Sequence, residues 1–288
     1  DKGWSISRLP REKHNLGVRF GFLEALGEFR DRGLAALRSD DDGNVLLDKG
    51  LGNNSKVLRV RIQKGDNIVG VSQMPDVSAE SEATLEARIR HARDSLYEEE
   101  LFHEIIRESR SLASYGVDMR ESTVRLPTRL SSTAAASTSD AQEVLIDLLP
   151  LTEIETKSQG KQPEDKWAQT IALALRLFLS YTHRERLTRR SELPPPMSSV
   201  RKDTLVASIM RPVLTLLQHR SMLDDIGAYL ERIKKLLDAA SVDATIETAA
   251  FDPALLRSAE TIDTLMQRGL TPLHSRMKMS LKIAHLPE

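Results

Sequence analysis

Leu58-Arg59-Val60-Arg61-Ile62-Gln63-Lys64-Gly65-Asp66-Asn67-Ile68-Val69-Gly70-Val71 is the stretch on which the fold class turns. Successive side chains of a strand point to opposite faces. Leu58, Val60 and Ile62 therefore share one face, and Arg59 and Arg61 the other. Lys64-Gly65-Asp66-Asn67 carries turn residues that tolerate positive φ, and Ile68 to Val71 return, which predicts an antiparallel hairpin. Upstream, Val18, Phe20 and Phe22 alternate with Arg19 and Gly21. Leu34 to Leu37 and Val45 to Leu47 flank Asp41-Asp42-Gly43-Asn44, a second hairpin turn. The expectation is an antiparallel meander over residues 17–73. Asp40 to Asn44 also suggests calcium, but it lacks the alternating spacing and distal Glu of an EF-hand loop, so a solvated turn is the better reading.

Downstream the period changes from two to 3.6. A polar cap region begins at Ser78, before a long helix expected to run to Tyr115, with Gly116 as its left-handed cap. Its apolar stripe is Leu85, Ile89, Ala92 and Leu96, then Ile106 and Ala113. The same face carries Glu100, His103, Arg107 and Arg110, whose spacings of three and four bring opposite charges within reach. Glu100, His103 and Arg107 are read as a structural ion-pair cluster that fixes how the helix docks. The catalytic alternative is a Glu100–His103 acid/base pair. Arg107, however, stands where a zinc-protease helix needs its second His.

Strands follow at 123–126 and 144–149, separated by a Ser/Thr/Ala linker at 131–140, and residues 156–165 are again polar. A helix over 164–190 carries Trp167, Ile171, Leu175 and Phe178 on one face, while Leu173, Leu177 and Leu179 cover much of the rest. A helix apolar almost all round is covered on several sides, by a large core or by other subunits. Its basic end, residues 183–190, reads either as a nucleic-acid patch or as cations placed at a helix C-terminus. Pro194-Pro195-Pro196 then forms a stiff spacer.

The most regular segment comes next. Leu216, Leu223, Leu230 and Leu237 recur every seventh residue, with His219, Ile226, Ile233 and Ala240 three residues after each. That is the spacing of a coiled-coil seam, and one helix with such a seam needs a partner helix. His219 is read as a polar residue tolerated in that seam. Pro212 marks a kink or the true start of the helix. A further helix is expected from Asp252-Pro253 to Gly269. Last, Met277, Met279, Leu281 and Ile283 alternate with Lys278, Ser280 and Lys282, as in a half-buried edge strand.

The fold class is therefore α+β: an antiparallel meander packed with long helices, then a helical region with a coiled-coil-like seam and a C-terminal edge strand. The division expected is a β-rich region with the long central helix at 1–155 and a mainly helical region at 156–288.

Composition narrows function mostly by exclusion. Lys plus Arg number 41 and Asp plus Glu 42, so the global field selects no partner. Aromatic residues make up only 4% of the chain, too few for extensive base- or sugar-stacking platforms. The absence of cysteine removes thiol nucleophiles, thiolate zinc sites and disulfides. The longest apolar run, Ile171 to Leu179, is broken by Arg176 and is far short of the roughly 20 residues that span a bilayer. Dinucleotide, phosphate-loop, nucleophile-elbow and helical zinc motifs are all missing. No enzyme, cofactor or metal site is expected, and the Asp1-Lys2-Gly3-Trp4 start reads as that of a fragment.

Three blocks carry a family resemblance. Gly17-Val18-Arg19-Phe20-Gly21-Phe22, with Glu28-Phe29-Arg30-Asp31-Arg32-Gly33-Leu34-Ala35-Ala36-Leu37, resembles fungal Mediator subunit 17 just after its N-terminal helical region. Glu98 to Glu108 and Leu112 to Val117 resemble that family's long central helix and its end. Leu179 to Arg184, with Arg211 to Leu214 and Leu217 to Arg220, is similar as well. The resemblance implies a C-terminal part, with the N-terminal half absent, of a nuclear, non-catalytic scaffold in the Mediator head module. Such a coactivator would link regulators to RNA polymerase II and hold head subunits 11 and 22 through helices, with subunits 8, 6 and 18 as further partners. From the residues themselves, Trp167, Ile171, Phe178, Leu216, Leu223, Ile226, Leu230, Ile233 and Leu237 are the candidate protein-interaction positions. The alternative is a nucleic-acid-binding module using residues 183–190.

Overall fold

A computed structural model describes residues 4–8, 16–39, 41, 43, 45–48, 54–75, 84–129, 142–151, 162–191, 208–249, 264 and 275–282. The chain divides into two compact units. The first comprises residues 1–126 with 137–210, and the second 127–136 with 211–288.

The first unit is built on two antiparallel arrangements rather than one meander. Strands β1 (Ser5–Arg8), β2 (Leu16–Arg19), β3 (Leu34–Ser39) and β4 (Val45–Asp48) form a four-stranded sheet in that order. The strand read through Phe22 stops at Arg19, and a short helix, α1 (Gly27–Arg32), stands between β2 and β3. Gly21 and Gly33 explain the break. The amides of Phe20 and Gly21 both donate to the Gly33 carbonyl, and a Cβ on Gly33 would lie 2.3 Å from the Gly21 Cα. Only two glycines allow the backbones so close. Val18, Phe20, Ala25, Phe29 and Ala35 are thereby turned into one cluster with Ile89, Ala92 and Leu96.

The hairpin of β5 (Lys56–Lys64) and β6 (Asn67–Val71) belongs to a second sheet, with β7 (Asp118–Arg120), β8 (Thr123–Pro127) and β9 (Gln142–Pro150). Its order is β6-β5-β9-β8-β7, and β5 pairs with β9 over its whole length, from Lys56 opposite Pro150 to Lys64 opposite Gln142. Leu58, Val60 and Ile62 are fully buried, and Arg59 and Arg61 are half-buried, as the alternation requires. Arg59 and Arg61 both reach Asp147 on β9, so the polar face of that strand pair is an ion-pair cluster.

Two long helices lie against β5, α2 (Leu85–Ser109) and α3 (Asp165–Ser191). The Thr84 hydroxyl caps α2 by accepting the Ala87 amide. A 3-10 turn, Arg110–Tyr115, continues α2 to Gly116, whose φ of 82° is the left-handed cap expected there. The start of α3 closes the free edge of β6: the Glu164 amide donates to the Val69 carbonyl, and the Val71 amide donates to Asp165. An edge covered in this way cannot recruit a stray strand.

The second unit contains α4 (Met210–Ala239) beyond its first residue, and a two-stranded antiparallel ribbon of β10 (Asp243–Ala249) and β11 (Arg276–Lys282). Pro212 lies in the first turn of α4, where its missing N–H costs nothing. The C-terminal strand is present as β11, paired along its length with β10, a strand the sequence reading did not anticipate. The linker at 131–140 and nearly all of the helix expected over 252–269 lie outside the described residues.

The β6–α3 junction yields a test. A Cβ on Gly70 would sit 2.6 Å from the Glu164 carbonyl carbon, so the backbone must move to admit one. Gly70→Ala is expected to destabilise the chain by about 1–3 kcal/mol, the usual cost of overpacking. The midpoint of urea unfolding measures it.

Candidate protein-interaction interface

The arrangement of α3 and its outward face follows from α2, which carries four buried glutamates: Glu98, Glu100, Glu104 and Glu108. A helix turns 100° per residue, so the run Glu98-Glu99-Glu100 points three ways. Glu98 accepts the Leu58 amide of β5 at 3.1 Å and Arg176 Nε of α3 at 2.6 Å. Glu99 pairs with Arg32 of α1 at 2.8 Å. Glu100 accepts the Leu26 amide before α1 at 3.0 Å and meets His183 Nε2 and Arg186 Nη1 of α3, each at 3.0 Å.

One turn on, Glu104 takes Arg186 Nη2 at 2.7 Å and Arg107 at 2.6 Å. A further turn on, Glu108 accepts the Ile209 and Met210 amides at 2.8 and 2.7 Å. Amides at a helix start have no partner within the helix, and Glu108 supplies one.

The expected trio of Glu100, His103 and Arg107 is thus not one cluster. Arg107 belongs to Glu104, and His103 is exposed, its ring edge-on to Phe29 at 5.5 Å. Glu100 looks instead across to α3, where Tyr97 also packs edge-on to His183 at 5.8 Å and bonds Ser180 at 2.7 Å. Same-helix spacing suggested the wrong partners because a fully buried carboxylate is satisfied by whichever element covers it, and that element is 83 to 86 residues further along the chain. Burial alone would raise the Glu100 pKa. The hydrogen bond and charge of His183, the Leu26 amide and Arg186 outweigh it, so the carboxyl is held below the ordinary range. No group of acidic and histidine side chains suited to a metal occurs among the described residues.

The same contacts divide the basic run at 183–190. His183 and Arg186 are turned inward onto Glu100 and Glu104, and Arg190 donates to the Leu23 carbonyl. The run is therefore not a single basic surface.

The inward face of α3 is used up by Ala168, Ile171, Ala172, Leu175 and Leu179, all buried. Of the candidate interaction residues on this helix, Ile171 is core, and Trp167 and Phe178 are half-buried. The apolar side chains that α3 presents outward are Leu173, Leu177 and Leu187, each about half exposed, at 54%, 51% and 48%.

On α4, Leu216 and Ile226 are exposed, and Leu223, Leu230, Ile233 and Leu237 are half-buried. Gly227 faces the Met277 methyl of β11, and His219 Nε2 bonds the Ser275 hydroxyl at 2.8 Å, so the ribbon lies on the side of the helix bearing these residues. Met222, Tyr229 and Leu236, at 55%, 63% and 73%, are more open than Leu216 and Ile226, at 37% and 46%. Their 3–4 spacing with Ile226 and Ile233 is legible in the sequence, one residue out of phase with the leucine repeat. No helix among the described residues is long and apolar enough to cross a bilayer.

Comparison with known proteins decides the family. The model of the family described as subunit 17 of Mediator complex matches residues 1–236. The chain belongs to the Mediator subunit 17 family. A subunit 17 sequence from Aspergillus terreus is 38% identical over 99% of this chain and 44% of its own length. One from Emericella nidulans is 40% identical over 87% of this chain and 38% of its own length. The chain thus spans less than half the length of these relatives. Its fold resembles a chain in the solved structure of the Schizosaccharomyces pombe Mediator head module, with a TM-score of 0.60 at 16% identity, over 96% of this chain and 60% of that one. The family is shown by sequence, and the fold is α+β.

Two predictions follow from the Glu100 contacts. Glu100→Ala leaves the His183 and Arg186 side chains and the Leu26 amide facing a cavity, and is expected to cost about 3–5 kcal/mol, measured by chemical denaturation. A carboxyl whose folded pKa is depressed contributes stability that is complete above its unfolded value, about 4.3, and is lost as pH falls through the folded one. The thermal midpoint of the wild type should therefore fall below pH about 4.3. In Glu100→Gln, where His183, Arg186, Glu104 and Tyr97 still surround the site, that acid-side slope should be shallower.

Proposed function

We propose that the chain is a non-catalytic scaffold within the Mediator head module, acting in the nucleus as part of a coactivator that connects regulators to RNA polymerase II. Membership in the subunit 17 family supports this reading, as does the printed name of the relatives, mediator of RNA polymerase II transcription subunit 17. The observation that carries it is physical. Two long helices, each anchored by one face, present apolar residues outward: Leu173, Leu177 and Leu187 on α3, and Met222, Ile226, Tyr229 and Leu236 on α4. Rows of this kind at helical spacing mark protein-protein contact rather than chemistry.

Subunits 11 and 22 are the foremost partners, with 8, 6 and 18 also in the same assembly, and the polymerase is reached through the complex. The test is co-expression with these five subunits, followed by size-exclusion chromatography with light scattering. A stoichiometric complex is expected. A well-behaved monomer indifferent to all five overturns the reading.

A further inference from the structure

A cleft of about 550 Å³ opens in the first unit, between the start of β5, the segment that leaves β6, and turns of α2 and α3. Sites that hold small ligands have volumes of about 300 to 1,000 Å³ and combine apolar walls with a few polar groups. Here Val57 is buried in the wall, and Met74 and Leu151 are half-buried in it. The polar part of the lining is rich in donors. Arg176 of α3 gives Nε and Nη2 to Glu98, at 2.6 and 3.2 Å, while its Nη1 makes no hydrogen bond among the described residues. Gln169 accepts the Gln73 amide at 2.9 Å, and its Nε2 is likewise without a partner among the described residues.

Arg176 is fixed before any ligand arrives. Glu98 is itself held by the Leu58 amide, and Tyr97 donates to the Arg176 carbonyl at 2.5 Å. A guanidinium is a rigid fork of five donors, so with one edge on Glu98 a second edge remains for another carboxylate. The charges around the cleft balance except for one. Glu98 answers Arg176, the near partner of Glu99 is Arg32 at 2.8 Å, and the exposed Asp94 lies 3.7 Å from Arg93. Lys56 Nζ is left 3.9 Å from Glu99, at the outer limit of an ion pair, as the surplus cation. The strand edge beside the cleft is closed to a peptide. The amides of Lys56, Leu58 and Val60 already donate to Ser95, Glu98 and Ser72, at 2.7, 3.1 and 3.0 Å, so an extended chain would find no free amide to pair with.

We propose that this cleft binds a small monocarboxylate with an apolar body, of the aryl or medium-chain aliphatic kind. Its carboxylate accepts from Arg176 Nη1 and Lys56 Nζ, a charge-assisted contact with a preorganised fork. Its body lies against Val57, Met74 and Leu151, where burial of apolar surface adds to binding. A dianion would exceed the one surplus charge, and a cation would add to it. A neutral amide of the same shape keeps the apolar contacts but loses the charge of the carboxylate. None of these residues belongs to the outward rows of α3 and α4, so occupancy of the cleft is separate from the association of those helices.

The test titrates the whole chain, methyl-labelled for NMR, with octanoate and phenylbutyrate and with the corresponding neutral amides. Shifts at the Val57, Met74 and Leu151 methyls are expected, with dissociation constants of about 1 mM or lower for the acids and about tenfold weaker binding for the amides. Lys56→Gln, at a half-buried position outside the core, should weaken the acids about tenfold and leave the amides unchanged. Arg176→Gln should act in the same direction. Because it strands the buried Glu98 and can unfold the chain, Met74→Glu serves beside it: a carboxylate set against that of the ligand should weaken the acids at least about tenfold with the thermal midpoint kept. Acids and amides that bind alike, a folded chain that shows no shift with either acid up to about 10 mM, or shifts centred on Met222 and Leu236 of α4 overturn the proposal. So does tighter binding of the blocked peptide acetyl-Val-Glu-Val-amide in competition with octanoate, since the occupant would then be a protein segment.

Discussion

A carboxylate taken out of water must be given donors or a counter-charge, and α2 takes four of them out of water at once. Each meets partners outside α2: Glu98 the β5 backbone and Arg176 of α3, Glu100 the entry to α1 with His183 and Arg186 of α3, Glu104 Arg186 of α3, and Glu108 the Ile209 and Met210 amides. The helix cannot be seated with one of these elements missing without stranding a charge. A buried ion pair is a poor guide to net stability, because desolvation opposes attraction. Its effect here is on geometry. Apolar contacts between two helices and a sheet tolerate sliding and rotation, whereas Glu98 with Arg176 and Glu100 with Arg186 fix both the height and the rotation of α3 on α2.

That constraint decides what α3 can show to its surroundings. Its sheet-facing side is filled by Ile171, Leu175 and Leu179, and the adjacent side by Arg176, His183 and Arg186. Leu173, Leu177 and Leu187 remain on the outside, and no rotation that keeps the ion pairs could turn them in. On α4 the division comes from the ribbon, which covers one edge of a broad apolar face and leaves the other. In both helices the exposed residues are what remains once the internal requirements are met. Burying an apolar row of this kind against another surface would add to binding instead of folding.

The sequence was most legible where the determining contacts are local. Turn residues between alternating runs place the β3–β4 and β5–β6 hairpins correctly, because loop closure and side-chain alternation act within a few residues. The long helices, the Gly116 cap and the edge strand β11 are legible for the same reason. Less of the rest could be read. β1 has the single apolar residue Ile6 in Ser5–Arg8, α1 is only six residues long, and β10 alternates too weakly to stand out between α4 and the segment that follows. The assignment of hairpins to separate sheets depends on β9, which arrives more than 70 residues after the strand whose edge it takes.

The candidate interface divides in the same way. The period of α4 is a property of the chain, since hydrophobic spacing and helical pitch are both local, and the sequence by itself determined that this helix would present apolar seams. The contacts of Glu100 and the identity of the open seam were decided only by the tertiary structure. A buried charge is satisfied by whatever packs over it, and a seam is open only if nothing folds onto it, and both are facts about elements distant in the chain.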